Sequence, residues 1–210
     1  MIISQYHQDS VNLAMQQLQQ QQVIAIPTDT IYGLAVDATN FEAVEKLYAL
    51  KKRDNQKPIA IFVQNLAMAK EIFAFNELAE KLANLHMPGK ITMILPAKEN
   101  SFNLATNLNY HHKTIGFRFV DSFFVQKLLQ CYQKPLAVTS ANISGFEVAK
   151  SAQDIAKIFD LELIIDNEKI CSNTASTVVE ITENNFKILR QGEVVIKLQI
   201  IEKDLYINHY

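Results

Sequence analysis

The 210-residue chain has no tryptophan, two cysteines, five prolines and five glycines. Cys131 and Cys171 form no CxxC pair and have no closely spaced histidine partner, which argues against a zinc site or a disulfide framework and suits a reduced, intracellular protein. The sparse glycines leave no GxxxxGK[ST] or GxGxxG cradle, so any phosphate site must be built differently. No stretch approaches the ~18 uninterrupted apolar residues of a membrane helix, and the N-terminus lacks a basic segment leading into an apolar one. A cytoplasmic chain without membrane attachment is expected. An excess of either charge is also missing: 20 Lys and Arg against 22 Asp and Glu give a net charge of −2, so only a local patch would recruit nucleic acid. His86, His111 and His112 are poor metal ligands, because the adjacent pair would point to opposite sides of a strand and no carboxylate stands at a ligand spacing. No protein-held metal is expected.

What is present is 49% apolar residue, ample for one domain spanning 1–210, with a peripheral tail after about Gly192. Helical spacing is seen over Ser10 to Gln22, where Val11, Leu13, Ala14 and Leu18 recur and the glutamines face water, and over Phe41 to Lys51 behind an Asn40 cap. Further helices are expected over 66–75, 76–87, 123–133 and 152–159. Apolar or alternating runs predict strands over 23–26, 58–63, 91–95, 114–120, 136–139, 163–165, 177–181 and 186–189. The result is an α/β fold, a mixed sheet with flanking helices. The longest irregular stretch, 98–113, is the candidate for a loop over a site.

Three polar motifs end apolar runs. Thr28-Asp29-Thr30, read as extended chain, puts both hydroxyls on one side and Asp29 on the other, although a turn satisfying its own backbone is the commoner use of such residues. Thr139-Ser140-Ala141-Asn142-Ile143-Ser144-Gly145 sits at the carboxyl end of a strand, where open α/β sheets bind ligands. Lys51-Lys52-Arg53 closes a helix and, with Lys57, concentrates four cations where the chain re-enters the sheet. In Thr114-Ile115-Gly116-Phe117-Arg118, alternation places Thr114, Gly116 and Arg118 on one face, and a guanidinium beside a glycine suits bidentate capture of a carboxylate or phosphate. Ser176 and Thr177 open one strand and Arg190 ends another. No nucleophile with a base and an orienting group is evident, so the chemistry would be positional and electrostatic.

Taken in order, Pro27-Thr28-Asp29-Thr30-Ile31-Tyr32-Gly33-Leu34, Lys51-x-Arg53, Pro88-Gly89, Thr114 to Arg118, Ser140-x-Asn142-x-Ser144-Gly145, Ser176 to Val179 and Ile188-Leu189-Arg190-x-Gly192 resemble the Sua5/YrdC/YciO family over nearly the whole chain. The KxR and SxN pair is similar to the threonylcarbamoyl-AMP synthase branch of single-domain YrdC type. The resemblance implies a YrdC-like twisted sheet with a concave basic groove. It also implies a nucleotidyltransferase making L-threonylcarbamoyladenylate from L-threonine, bicarbonate and ATP with Mg²⁺, for the t6A modification of tRNA at position 37. By matching position, Thr30, Arg118, Ser140 and Ser176 would hold threonine. Lys51, Arg53, Lys57, Thr114, Asn142 and Arg190 would hold ATP, with Lys51 and Arg53 catalytic, and Thr28 and Tyr32 would line the site. TsaB, TsaD and TsaE proteins would be the functional partners. Phe62 and the segment Val148-Ala149-Lys150 depart from the family pattern. The alternative from the residues alone is a module binding tRNA or double-stranded RNA through the same cations, weakly given the net charge.

Overall fold

The computed structural model describes residues 1–54, 56–98, 103–108, 114–168, 174–183 and 185–196. Most of the expected loop over 98–113, with His111 and His112, as well as Cys171 and the tail beyond 196, lie outside the described residues.

The elements run β1 (Ile2–Ser4), α1 (Ser10–Gln19), β2 (Ile24–Ile26), β3 (Gly33–Asp37), α2 (Phe41–Lys51), β4 (Ala60–Phe62), α3 (Leu66–Ile72), α4 (Glu77–His86), β5 (Ile91–Pro96), β6 (Thr114–Arg118), α5 (Phe123–Tyr132), β7 (Leu136–Ser140), α6 (Ala152–Ile158), β8 (Ile164–Asp166), β9 (Thr177–Ile181) and β10 (Phe186–Arg190). Asn40, Asn65, Asn76 and Ser151 each cap a helix by accepting from the backbone N–H three residues on, a contact worth about 1 kcal/mol apiece. Two strands escape the sequence reading. β1 is too short to show a period, and β3 is Gly-Leu-Ala-Val-Asp, whose ends are poor strand formers and whose five residues are all buried, so that no alternation survives.

The ten strands of the described residues form one mixed sheet in the order β1-β8-β2-β3-β7-β4-β6-β5-β9-β10. Its two faces are covered unequally. One face packs against α2, α3, α4 and α6 through a core that includes Val44, Leu47, Ile72, Leu82 and Ile155 and takes Ile61, Met93, Phe117 and Val179 from the strands. The other face packs against α1 and α5, whose Leu18, Phe124 and Leu128 meet Ile24, Ala35, Phe62, Leu136 and Val138. Among the described residues, this second core takes nothing from β5, β6, β9 or β10. With a side-chain period of two, Thr92, Ile94, Gly116, Arg118 and Val178 then face away from the first core with no helix over them, and they line a cavity instead.

Candidate active site

The cavity has a volume of about 330 Å³ and brings together Thr28, Thr30, Tyr32, Arg53, Phe62, Thr92, Arg118, Ser140, Ser176 and Arg190. That size lies within the range of small-molecule sites. Three arginines and no carboxylate stand in its wall among the described residues.

Arg118 is almost fully buried, and its partners are specific. Nε donates to the Ile91 carbonyl at 3.3 Å, Nη1 to Thr30 Oγ1 at 3.1 Å, and Nη2 both to Asp29 Oδ1 at 2.7 Å and to the Gly89 carbonyl at 3.0 Å. Four of its five N–H groups are therefore spent within the protein, and one, on Nη1, has no partner among the described residues. The bidentate capture expected of Arg118 is not available to it. Burial pulls this guanidinium below its usual value, and Asp29 opposes that pull. Phe62 supplies a flat apolar neighbour, with Arg118 Cζ 5.4 Å from its ring centroid.

The hydroxyls of Thr28 and Thr30 do meet, at 3.1 Å, but on a bend rather than on extended chain. Thr28 Oγ1 donates to the Ile31 carbonyl at 2.7 Å and accepts the Thr30 N–H, so its only proton is committed and Thr30 is the donor between the two. Asp29 does not turn away from them, since it grips the same arginine as Thr30. Asp29, the Gly89 and Ile91 carbonyls and Thr92 are the site groups that sequence reasoning missed. Thr92 had a readable signal in the alternation along Ile91 to Leu95, and Asp29 and Gly89 stand in motifs already singled out.

The cations of the 51–57 cluster separate. Arg53 reaches the cavity, with Nε donating to the Lys57 carbonyl at 3.2 Å and Nη2 to the Pro58 carbonyl at 3.0 Å, and its other three N–H groups have no partner among the described residues. Burial lowers its pKa, while Tyr48 and Asp54 hold it up. Lys52 and Lys57 are exposed off the cavity wall. Lys51 is buried, and its Nζ donates to the Ser140 carbonyl, to the Asn142 carbonyl at 2.7 Å and to Asn142 Oδ1 at 2.9 Å. All three ammonium protons are thus used, and the group does not reach the cavity. Burial, assisted by the charge of Arg53, pushes the Lys51 ammonium down to about 7.

On the far side, Arg190 Nε donates to the Ser176 carbonyl at 3.0 Å and Nη2 to Ser176 Oγ at 3.1 Å, and its other three N–H groups have no partner among the described residues. Thr92 and Ser176 hydroxyls lie 2.7 Å apart. Tyr32 lies against the cavity, but its Oη is turned away, 3.0 Å from both Asp166 Oδ1 and Asn167 Oδ1. Thr114 and Asn142 do not line the cavity: Thr114 pairs with Pro96 at the opposite end of β6 from Arg118, and Asn142 lies behind Ser140. Gly116 does line it, and a Cβ there would come within 3.1 Å of the Thr92 methyl.

Three arginines and a set of shared hydroxyls at one end of a half-covered sheet define an α/β protein with a cavity whose lining suits a small anionic ligand. The comparisons with known proteins agree. The profile of the Sua5/YciO/YrdC family, described as telomere recombination, matches residues 16–192, and the chain belongs to that family. It is 31% identical over 194 residues to the threonylcarbamoyl-AMP synthase of Homo sapiens, covering 88% of this chain and 67% of that one. A putative threonylcarbamoyl-AMP synthase of Methanocaldococcus jannaschii is 30% identical over 177 residues, with 83% and 82% covered. Among solved structures, Pyrococcus abyssi Sua5 complexed with L-threonine matches with a TM-score of 0.85 at 28% identity, over 97% of this chain and 60% of that one. Escherichia coli YciO shares the fold, with a TM-score of 0.83 at 22% identity over 94% and 96%. The chain thus spans 60% of the threonine-bound Sua5 chain that it matches.

Proposed function

We propose that the chain synthesises L-threonylcarbamoyladenylate from L-threonine, bicarbonate and ATP, releasing pyrophosphate, as the first step of t6A formation at tRNA position 37. The observation that carries this is one cavity holding three arginines and clustered hydroxyls in a chain of this family. Thr30, Ser140, Ser176 and the single free N–H of Arg118 hold the amino acid. Arg53 and Arg190, with three free N–H groups each, take the phosphates, where planar forks match phosphate oxygens. Attack of a carbamate on the α-phosphate requires two anions to be oriented and developing charge to be neutralised, which fixed guanidinium groups supply. Lys57, Thr114 and Asn142 lie off the wall. Among the described residues no carboxylate stands in the wall and no cluster of His, Cys, Asp or Glu could hold a metal, so Mg²⁺ would enter with ATP as part of the substrate and would supply charge neutralisation at the phosphates.

A cytoplasmic location and hand-over of the adenylate to TsaB, TsaD and TsaE belong to the same reading. Among the described residues no helix is long and apolar enough to cross a membrane. The test is pyrophosphate release from MgATP with threonine and bicarbonate omitted in turn, beside Arg53→Ala. Release that needs both substrates and falls by about 10²-fold or more in the variant, as for other transition-state charge donors, supports the reading. Release indifferent to threonine refutes it.

A further inference from the structure

The carboxyl end of β7 carries a hydrogen-bond relay whose direction can be read. Asn142 Nδ2 donates to the Phe146 carbonyl at 2.7 Å, and Oδ1 accepts from Lys51 Nζ at 2.9 Å. Flipping this amide would set its NH₂ against an ammonium and its oxygen against a carbonyl, so its orientation is determined. Ser140 Oγ lies 2.6 Å from the same Oδ1, and an amide oxygen cannot donate, so the Ser140 hydroxyl proton points at Asn142. Ser140 also lines the cavity, and it therefore turns only lone pairs toward a ligand. A carboxylate or phosphate oxygen would be repelled there, whereas an N–H would be accepted.

From this we propose that Lys51 is a positioning residue that acts through Asn142, fixing Ser140 Oγ as the acceptor for an N–H of the substrate's α-amino group. The inference rests on the threonine-binding reading above. It accounts for a buried lysine whose three protons all end on the Ser140–Asn142 segment, and whose own carbonyl accepts from the Ser144 N–H at 3.0 Å. Lys51 thereby fastens the end of α2 to the loop that carries Ser140.

The experiment is a calorimetric double-mutant cycle for L-threonine binding with wild type, Ser140→Ala, Lys51→Met and the double variant, each checked for cooperative thermal unfolding. Loss of one hydrogen bond to a charged group should weaken binding about tenfold in each single variant, and the double variant should be no weaker than either, because the two changes break one relay. Should Lys51→Met fail to fold, Asn142→Ala takes its place in the cycle with the same expectation. 3-Hydroxybutyrate, which lacks the amine, should bind wild type and Ser140→Ala within twofold of each other. Additive losses near a hundredfold, or equal losses for both ligands in Ser140→Ala, would overturn the relay while leaving threonine binding intact. A wild-type chain that does not bind threonine would overturn the functional reading as well.

Discussion

Asp29→Ala tests the most unusual electrostatic feature of the site. The Asp29 and Arg118 side chains are each 5% exposed and paired at 2.7 Å, so removing the carboxylate strands a guanidinium in a nearly dry environment. Breaking a buried pair in this way typically costs about 3–5 kcal/mol. The low end applies here, because the Thr30 hydroxyl, the Gly89 and Ile91 carbonyls and the Phe62 ring all stay in place. At about 2–4 °C per kcal/mol for a chain of this size, a loss near 3 kcal/mol lowers the melting temperature by about 6–12 °C. Circular dichroism melts of wild type, Asp29→Ala and Asp29→Ala/Arg118→Met would measure it, and the double variant should recover most of the loss since no charge is left unpaired. L-Threonine should raise the melting temperature of Asp29→Ala more than that of wild type, because its carboxylate returns a counter-charge to Arg118. A melting temperature for Asp29→Ala within 2 °C of wild type, with no recovery in the double variant, would show that the pair does not hold the site together.

Three other outcomes follow from the same geometry. The folded Lys51 ammonium titrates near 7 rather than 10.5, so between those values the unfolded chain binds the extra proton and stability rises with pH; denaturant titrations should show this slope in wild type and its loss in Lys51→Met. Asp37 is buried and accepts from Thr39 N at 2.8 Å, Thr39 Oγ1 at 2.6 Å, Tyr132 Oη at 2.7 Å and Lys134 Nζ at 2.9 Å. Burial pushes its pKa up but these hydrogen bonds outweigh it, so its contribution is present above the ordinary value of 3.8 and is lost as pH falls below it. Asp37→Ala should cost about 2–4 kcal/mol at neutral pH, with the wild-type advantage shrinking in acid unfolding experiments. Gly192→Ala would drive a methyl into the backbone of Ala175, Ser176 and Thr177, with a Cβ within 2.4–2.6 Å of their atoms, so the backbone would have to shift. A loss of about 1–3 kcal/mol is expected, and threonine affinity should fall with it because Ser176 is displaced.

Much of this protein is legible one residue at a time. The helix behind Asn40, the period-two strand from Thr114 to Arg118 and the turn after β7 are local matters of capping, alternation and turn chemistry, and the structure places them where those rules put them. The same local reading singled out the stretches that carry Thr30, Arg53, Arg118 and Ser140, because hydroxyls and guanidinium groups at the ends of apolar runs are conspicuous, while Ser176 and Arg190 became candidates only through the family resemblance; all six line one cavity. Donor accounting lay beyond it. Whether an arginine has one N–H free or three, and whether a lysine faces a ligand or the protein's own carbonyls, depends on partners far along the chain, such as Asp29 for Arg118 and Asn142 for Lys51, some ninety positions away. Sequence composition and periodicity determined the α/β class and the identity of the polar groups, since both follow from each residue's own preferences. Only the tertiary structure decided which face of the sheet stays uncovered and which protons are left for a substrate, because packing and hydrogen-bond partners are set by long-range contacts.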